Sequence, residues 1–362
     1  MSRIVAKIGT SSLTDDRGVI ARAAIADLCD QSARLRSDGH EVVIVSSGAV
    51  SAGVAALAMP ARPTDMPTLQ ALAAVGQSRL MDVYNAELAD HGLVGAQVLV
   101  VPPDFVNRRQ YLHARQTLNR LLELGCLPVI NENDAIASDE IRWGDNDRIA
   151  ALVSHLISAD VMVLLTDTPG LFTADPRHDA GATFIDYVRA DDPLLAVNAG
   201  TSGTSRGSGG MASKLRAARI ASWSGVRSVI AQAGRPDVLL DAVAGAIGVG
   251  TVFEPHDRRM PARKLWIGFA SAVMGTLVVD EGARRALVER NTSLLPAGVT
   301  RVAGEFDPGD TVEVTAADGS VIARGMVTVD AATARQMAGR RTSELSSEMA
   351  HELVHRDDLV VL

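Results

Sequence analysis

Two lysines in this 362-residue chain stand in glycine- and serine-rich turns, and a run of acids lies between them in sequence. Lys7 opens Lys7-Ile8-Gly9-Thr10-Ser11-Ser12, and Lys214 closes Ser208-Gly209-Gly210-Met211-Ala212-Ser213-Lys214. A third such turn, Ser46-Ser47-Gly48-Ala49, carries no lysine, and the acidic tetrad is Gly144-Asp145-Asn146-Asp147. Glycine lets backbone N–H groups approach an anion closely, a helix N-terminus adds a favourable dipole, and lysine supplies a mobile point charge. Several such devices on one sheet point to phosphoryl transfer.

Each motif also has a plainer reading. Lys7 ends a strand and is either aimed at β- and γ-phosphate oxygens or is a solvated lysine near a terminus. Ser47 and Gly48 follow a strand and either offer donors to an anion or form an ordinary strand-to-helix turn. Asn131-Glu132-Asn133-Asp134 ends another strand, and the acidic tetrad opens a helix. Asp145 or Asp147 reads as an N-cap, but the remaining polar residues are too many for packing. They suit a substrate ammonium or an acidic partner for lysines. Thr166-Asp167-Thr168-Pro169-Gly170 either receives a base and ribose or is a connector. The 208–214 segment is neither a Walker A loop nor a dinucleotide fingerprint, yet Gly209-Gly210 before a helix makes a phosphate nest with Lys214 one turn inside. The Gly/Ser/Thr-rich run Asn198–Gly210 is expected to be mobile without nucleotide and ordered with it. Other chemistries find little support: His351-Glu-Leu-Val-His355 has zinc-motif spacing but no third ligand apparent, and no serine-hydrolase elbow or catalytic cysteine context occurs.

The elements that position these residues follow from periodicity. Apolar strands are expected over 3–8, 41–45, 94–101, 127–130, 161–166 and 228–231. They alternate with helices over 21–38, 68–90, 107–124, 211–223 and 237–244. Ile149, Leu152, Val153, Leu156 and Ile157 give a further amphipathic helix. Such alternation implies a mostly parallel sheet covered on both faces, an αβα sandwich, with ligands beyond the carboxyl ends of the strands. After residue 253 the pattern changes. A proline-punctuated connector over 254–267 leads to short Val/Ile-rich runs separated by turns, predicting a small β-rich domain over 268–362 with one helix at Glu281–Arg290.

Composition narrows the class further. The chain is 47% hydrophobic and 22% charged, with a formal net charge of −8, which argues against non-specific binding to nucleic acid or acidic membranes. Cys29 and Cys126 read as reduced buried thiols. The N-terminus has no long apolar leader, and no stretch approaches the roughly 18 apolar residues that span a bilayer, so a cytoplasmic protein is expected.

Taken together, these segments resemble the amino acid kinase family. The resemblance runs through Val5-Ala6-Lys7-Ile8-Gly9-Thr10-Ser11, Ile44 to Ala49, Leu72-Ala-Ala-Val75-Gly76-Gln77-Ser78-Arg79-Leu80, Pro128 to Asp134, Gly144 to Asp147, Leu165-Thr166-Asp167 and Gly209 to Lys214. The last hundred residues resemble a PUA domain. The resemblance implies a kinase domain over 1–253 that phosphorylates the side-chain carboxylate of L-glutamate from ATP with Mg²⁺, the first step of proline synthesis. It implies that Lys7 and Lys214 contact the transferring phosphoryl group and that Asp147 orients them. Ser47, Gly48, Asp134 and Asn146 would bind glutamate. Thr166, Asp167, Ser208, Gly209, Gly210, Met211, Ala212 and Ser213 would hold ATP together with the two lysines. No residue is implied to bind metal directly, Mg²⁺ being carried by the phosphates. Feedback inhibition by proline and a homo-oligomer, dimer or tetramer, belong to the same expectation. Rival readings are another acceptor within the family (N-acetylglutamate, aspartate or carbamate) and an RNA-binding PUA protein. Against the second, residues 265–362 hold nine arginines, no lysine and fourteen acids, an unfavourable surface for phosphate.

Overall fold

In the computed structural model, residues 1–105, 107–136, 146–176, 178–195, 210–257, 259–346 and 351–362 are described. Contacts divide the chain into two units, Met1–Arg259 and Met260–Leu362. The first runs β1 (Arg3–Ile8), α1 (Thr10–Leu13), α2 (Arg22–Ser37), β2 (Glu41–Val45), α3 (Ala49–Ala56), α4 (Met66–Asp90), β3 (Gly95–Val100), α5 (Arg108–Glu123), β4 (Leu127–Glu132), α6 (Asn146–Leu156) and β5 (Val161–Thr166). It continues through β6 (Leu171–Phe172), β7 (Phe184–Ile185), β8 (Tyr187–Val188), α7 (Met211–Trp223), β9 (Arg227–Gln232), α8 (Val238–Ala244) and β10 (Gly250–Phe253).

The main sheet has the order β3-β4-β2-β1-β5-β9-β10-β8. β1 pairs in parallel with β2 on one side and β5 on the other, so the strand succession changes direction around it and a crevice opens at its carboxyl end. Among the described strands of this sheet, the β9–β10 pairing alone is antiparallel, and β8 runs parallel to β10. Strand pleating sends successive side chains to opposite faces. Ile4, Ala6 and Ile8 therefore join one apolar cluster with Ile25 and Leu28 of α2, Leu80 and Tyr84 of α4, and Val238 and Leu239 of α8. Val5 and Lys7 point the other way, towards α6 and α7. This is the expected αβα sandwich, with helices on both faces of a mostly parallel sheet.

Local signals set the helix ends. Asp65 caps α4 by accepting from the Thr68 N–H at 3.0 Å, with a proline in the first turn, so the helix starts at Met66, earlier than periodicity alone suggested. Asn107 caps α5 in the same way. The spacing did not predict α3 or β10. α3 reads Ala-Val-Ser-Ala-Gly-Val-Ala-Ala, with no polar face to mark a period, because it is wedged against α4. There a Cβ on Gly53 would lie 2.0 Å from the Leu72 carbonyl oxygen, and one on Gly76 would lie 1.8 Å from that of Ala49. Only glycine permits so close an approach.

In the second unit, α9 (Ala262–Leu265) leads into one wider helical turn over Trp266–Ala270, so part of the segment read as an aperiodic connector is helical. β11 (Val273–Val279), α10 (Glu281–Arg290), β12 (Val299–Gly304), β13 (Thr311–Thr315), β14 (Val321–Val327), α11 (Ala331–Met337) and β15 (Val354–Val361) follow. The sheet order is β12-β11-β13-β14-β15, antiparallel except between β11 and β13. Leu277, Val312, Val314, Met337 and Val354 centre a separate core. α11 corrects the expectation of a single helix here. Asp330 caps it at 2.7 Å from the Thr333 N–H, and Ala331, Ala334 and Met337 turn inward, a stripe of small residues too short to stand out in sequence. His355 lies in β15, so the 351/355 spacing does not place two imidazoles on one helical face.

Candidate active site

The pleat that buries Ile8 on one face sends Lys7 to the other, where it is 5% exposed. Its Nζ lies 2.6 Å from Oδ1 of Asp147, in the first turn of α6. Lys214, one turn into α7, reaches the other oxygen: Nζ donates to Oδ2 at 3.2 Å. Burial alone would raise the Asp147 carboxyl, but the two ammonium groups outweigh it and hold the group below the usual carboxylate range. Two cations share this one anion. Such a pair of ammonium groups suits an incoming polyanion.

Gly210 is the N-cap of α7 and brings no side-chain cap. The first N–H groups of that helix thus face the space before Met211 and Ala212, as an anion-binding N-terminus requires. The Ser213 and Lys214 N–H groups turn back to the Gly210 carbonyl, at 3.0 and 3.4 Å. Ser208 and Gly209 lie outside the described residues, as do Asp145 and nearly all of the Asn198–Gly210 run expected to be mobile. Thr166 ends β5 beside Lys7's strand, and its hydroxyl donates to Asp167 Oδ1 at 3.0 Å. Both line a cavity of ≈560 Å³ that opens on the α2 side, with Ser12, Asp27, Gln232 and Arg235. Neither lysine lines it: Ile8 does, on the face of the sheet opposite the one to which Lys7 points.

The turn after β2 is a second wall. Gly48 has φ +92°, a left-handed conformation that a side chain would strain, and it starts α3. Ser47 Oγ accepts from Asn146 Nδ2 at 3.1 Å. The same Nδ2 donates to Asn131 Oδ1 at 3.1 Å, and Asn131 Nδ2 donates to Gln77 Oε1 at 2.8 Å. Asp134 follows β4 and is 9% exposed. Its Oδ1 and the Oδ1 of Asn146 are buried side-chain oxygens without a hydrogen-bond partner. Burial, reinforced by the charge of Glu132 and partly offset by Arg62, raises the Asp134 carboxyl to about 7.

The structure therefore brings Lys7, Asp147 and Lys214 together, and joins Ser47 and Asn146 directly next to them in sequence or space. Sequence reasoning named Asn131 only within the polar run 131–134 and Gln77 only within a resembling segment, and gave neither a role of its own. The signal present was an amide on the buried stripe of α4, between Leu72, Ala73 and Gly76 on one side and Leu80 and Met81 on the other.

This fold and site belong to a recognised class. Residues 2–232 match the amino acid kinase family, and the chain belongs to that family. Residues 275–349 match the PUA domain. The chain is 47% identical to the glutamate 5-kinase of Myxococcus xanthus, over 99% of this chain and 96% of that protein. It is 48% identical to the glutamate 5-kinase of Chromohalobacter salexigens, again over 99% and 96%. The glutamate 5-kinase of Herpetosiphon aurantiacus is 46% identical over 99% of this chain and 98% of its own length.

Proposed function

We propose that this chain transfers the γ-phosphoryl group of ATP to the side-chain carboxylate of L-glutamate, releasing L-glutamyl 5-phosphate and ADP, the reaction that opens proline biosynthesis. The observation that carries this reading is the pair of ammonium groups, Lys7 and Lys214, held by one carboxylate at the crevice.

The acceptor carboxylate has a reference pKa near 4.3, so at neutral pH it is already a nucleophile and needs no general base. The barrier is repulsion between that anion and the γ-phosphoryl oxygens. In this reading Lys7 and Lys214 neutralise charge that builds on the phosphoryl group, and Asp147 fixes where both amines point. The N-terminus of α7, with Gly210, Met211, Ala212 and Ser213, receives phosphate oxygens. Thr166 and Asp167 stand where the nucleoside would lie. Ser47 and Gly48 bound the acceptor on one side, while Asp134 and Asn146 offer acceptors to its α-ammonium. Mg²⁺, carried by the ATP phosphates, would supply further charge neutralisation.

The unpartnered acceptors Asp134 and Asn146 favour a free α-amino group over an N-acetylated one. A hydroxamate trap tests the reading: the product is an acyl phosphate and reacts with hydroxylamine to give a coloured iron complex. L-Glutamate with ATP is expected to produce it, whereas N-acetylglutamate, aspartate and carbamate are not. Absence of signal with glutamate would overturn the assignment.

The same reading takes residues 1–253 as the catalytic domain, 254–267 as a connector and 268–362 as a PUA-like domain serving assembly or regulation rather than RNA binding. It includes inhibition by proline and a dimer or tetramer. It also places the enzyme in the cytoplasm; no helix of the described residues is long and apolar enough to cross a membrane.

A further inference from the structure

We infer that Gln77 is a positioning residue for α-ammonium recognition, acting through Asn131 to set which end of the Asn146 amide meets the substrate. The inference rests on the reading that glutamate is the acceptor.

The two ends of a side-chain amide are told apart by their partners, and here a main-chain group decides. The Glu132 N–H donates to Asn131 Oδ1 at 2.9 Å, and a backbone N–H can only donate. Asn131 Nδ2 must therefore point away, to Gln77 Oε1 at 2.8 Å. The second lone pair of Asn131 Oδ1 takes Asn146 Nδ2 at 3.1 Å, and that same nitrogen donates to Ser47 Oγ at 3.1 Å. Both hydrogens of the Asn146 amide are thereby used. Its oxygen is left over, buried and without a partner. Asn146 thus presents an acceptor, as does the buried Asp134 Oδ1. A protonated amine, with three hydrogens and a positive charge, satisfies two such oxygens; an acetamido nitrogen has a single hydrogen to give.

Gln77 makes this polarity stable. Without its carbonyl, Asn131 Nδ2 would be a buried donor with nothing to bond, and the amide would be driven to turn over or withdraw. The residue is 8% exposed, and its neighbour Gly76 packs against the Ala49 carbonyl, so the side chain starts from a fixed backbone. Its Nε2 faces Gln97 Oε1 at 3.5 Å, a long contact that holds the other end only loosely.

The test is steady-state kinetics of the full chain with the hydroxamate assay, comparing L-glutamate with glutarate, which lacks the α-amino group and is read as substrate or as competitive inhibitor. Gln77→Leu is expected to raise the glutamate KM about tenfold or more, the scale of one buried donor left unsatisfied. The ATP KM and the glutarate constant should move by less than about threefold, because neither ligand meets the displaced oxygen. Gln77→Glu keeps an Oε acceptor towards Asn131 and should bring the glutamate KM back. If Gln77→Leu does not fold, Gln77→Asn, which withdraws the carbonyl by one methylene, is read in the same way. Equal losses for glutamate and glutarate, or an unchanged glutamate KM, would overturn the inference while leaving the kinase reading intact. Failure of the unsubstituted chain to make the hydroxamate would remove both.

Discussion

Lys7 and Lys214 end on opposite oxygens of the same carboxylate, at 2.6 and 3.2 Å from Asp147. One lysine comes from the end of a strand and the other from the first turns of a helix, so the fold alone brings them together. Removing either lysine still leaves Asp147 paired with the other. Lys214→Ala should therefore keep its thermal unfolding midpoint within a few degrees and lose turnover by about two to three orders of magnitude, the scale of one lost charge-stabilising donor. Single-turnover rates with saturating glutamate and ATP measure it.

Asp147→Asn is expected to behave differently. It removes the carboxylate that both buried ammonium groups share, a change of about 3–5 kcal/mol in comparable buried pairs. Both the unfolding midpoint and kcat should fall, and denaturant titration read alongside kinetics separates this variant from Lys214→Ala.

Asp134 gives a prediction in pH. Its carboxyl is raised from 3.8 to about 7, chiefly by burial. A group raised on folding contributes stability that is complete below its unfolded value and lost as pH rises through its folded one. The ligand-free protein should thus lose stability from this group between about pH 4 and pH 7, and Asp134→Asn should flatten that slope in thermal melts. Binding runs the other way, since the ammonium wants the ionised form. The glutamate KM should rise as pH drops below about 7, with the ATP KM far less affected; a pH-independent glutamate KM would remove Asp134 from the pocket.

Gly76→Ala should be disruptive well beyond its size. The added carbon would sit 1.8 Å from a main-chain oxygen of α3, so the two helices must part. Overpacking of this kind costs about 1–3 kcal/mol or more, and here it also moves Ser47 and Gln77 apart. The glutamate KM and the unfolding midpoint should worsen together.

The separate cores of the two units predict that a chain ending at Arg259 folds and retains glutamate phosphorylation. Circular dichroism and the hydroxamate assay on that truncation check it.

Much of this was legible from sequence because charge in an apolar setting is conspicuous. Lys7 ends a run of aliphatic residues, and Asp147 and Lys214 each begin an apolar helix, so their meeting at one site could be expected before any geometry. The sheet was equally readable, since strands buried on both faces are nearly continuous Val and Ile. Gln77 was not. One amide among Leu72, Ala73, Leu80 and Met81 is compatible with simple tolerance, and its partner Asn131 lies on a different element. α3 and α11 were missed because small residues packed closely leave no polar face to count. The raised carboxyl of Asp134 depends on how deeply it is covered, which spacing does not encode.

Helices that touch backbone to backbone have no side chains to slide upon. At the Gly53 and Gly76 contacts α3 and α4 thus behave as one plate, carrying Gly48 at one edge and Gln77 within it. The 57–65 connection joins the two helices of that plate, and it carries Arg62, whose charge reaches Asp134. A side chain at either glycine would split the plate and shift the wall of the pocket with it.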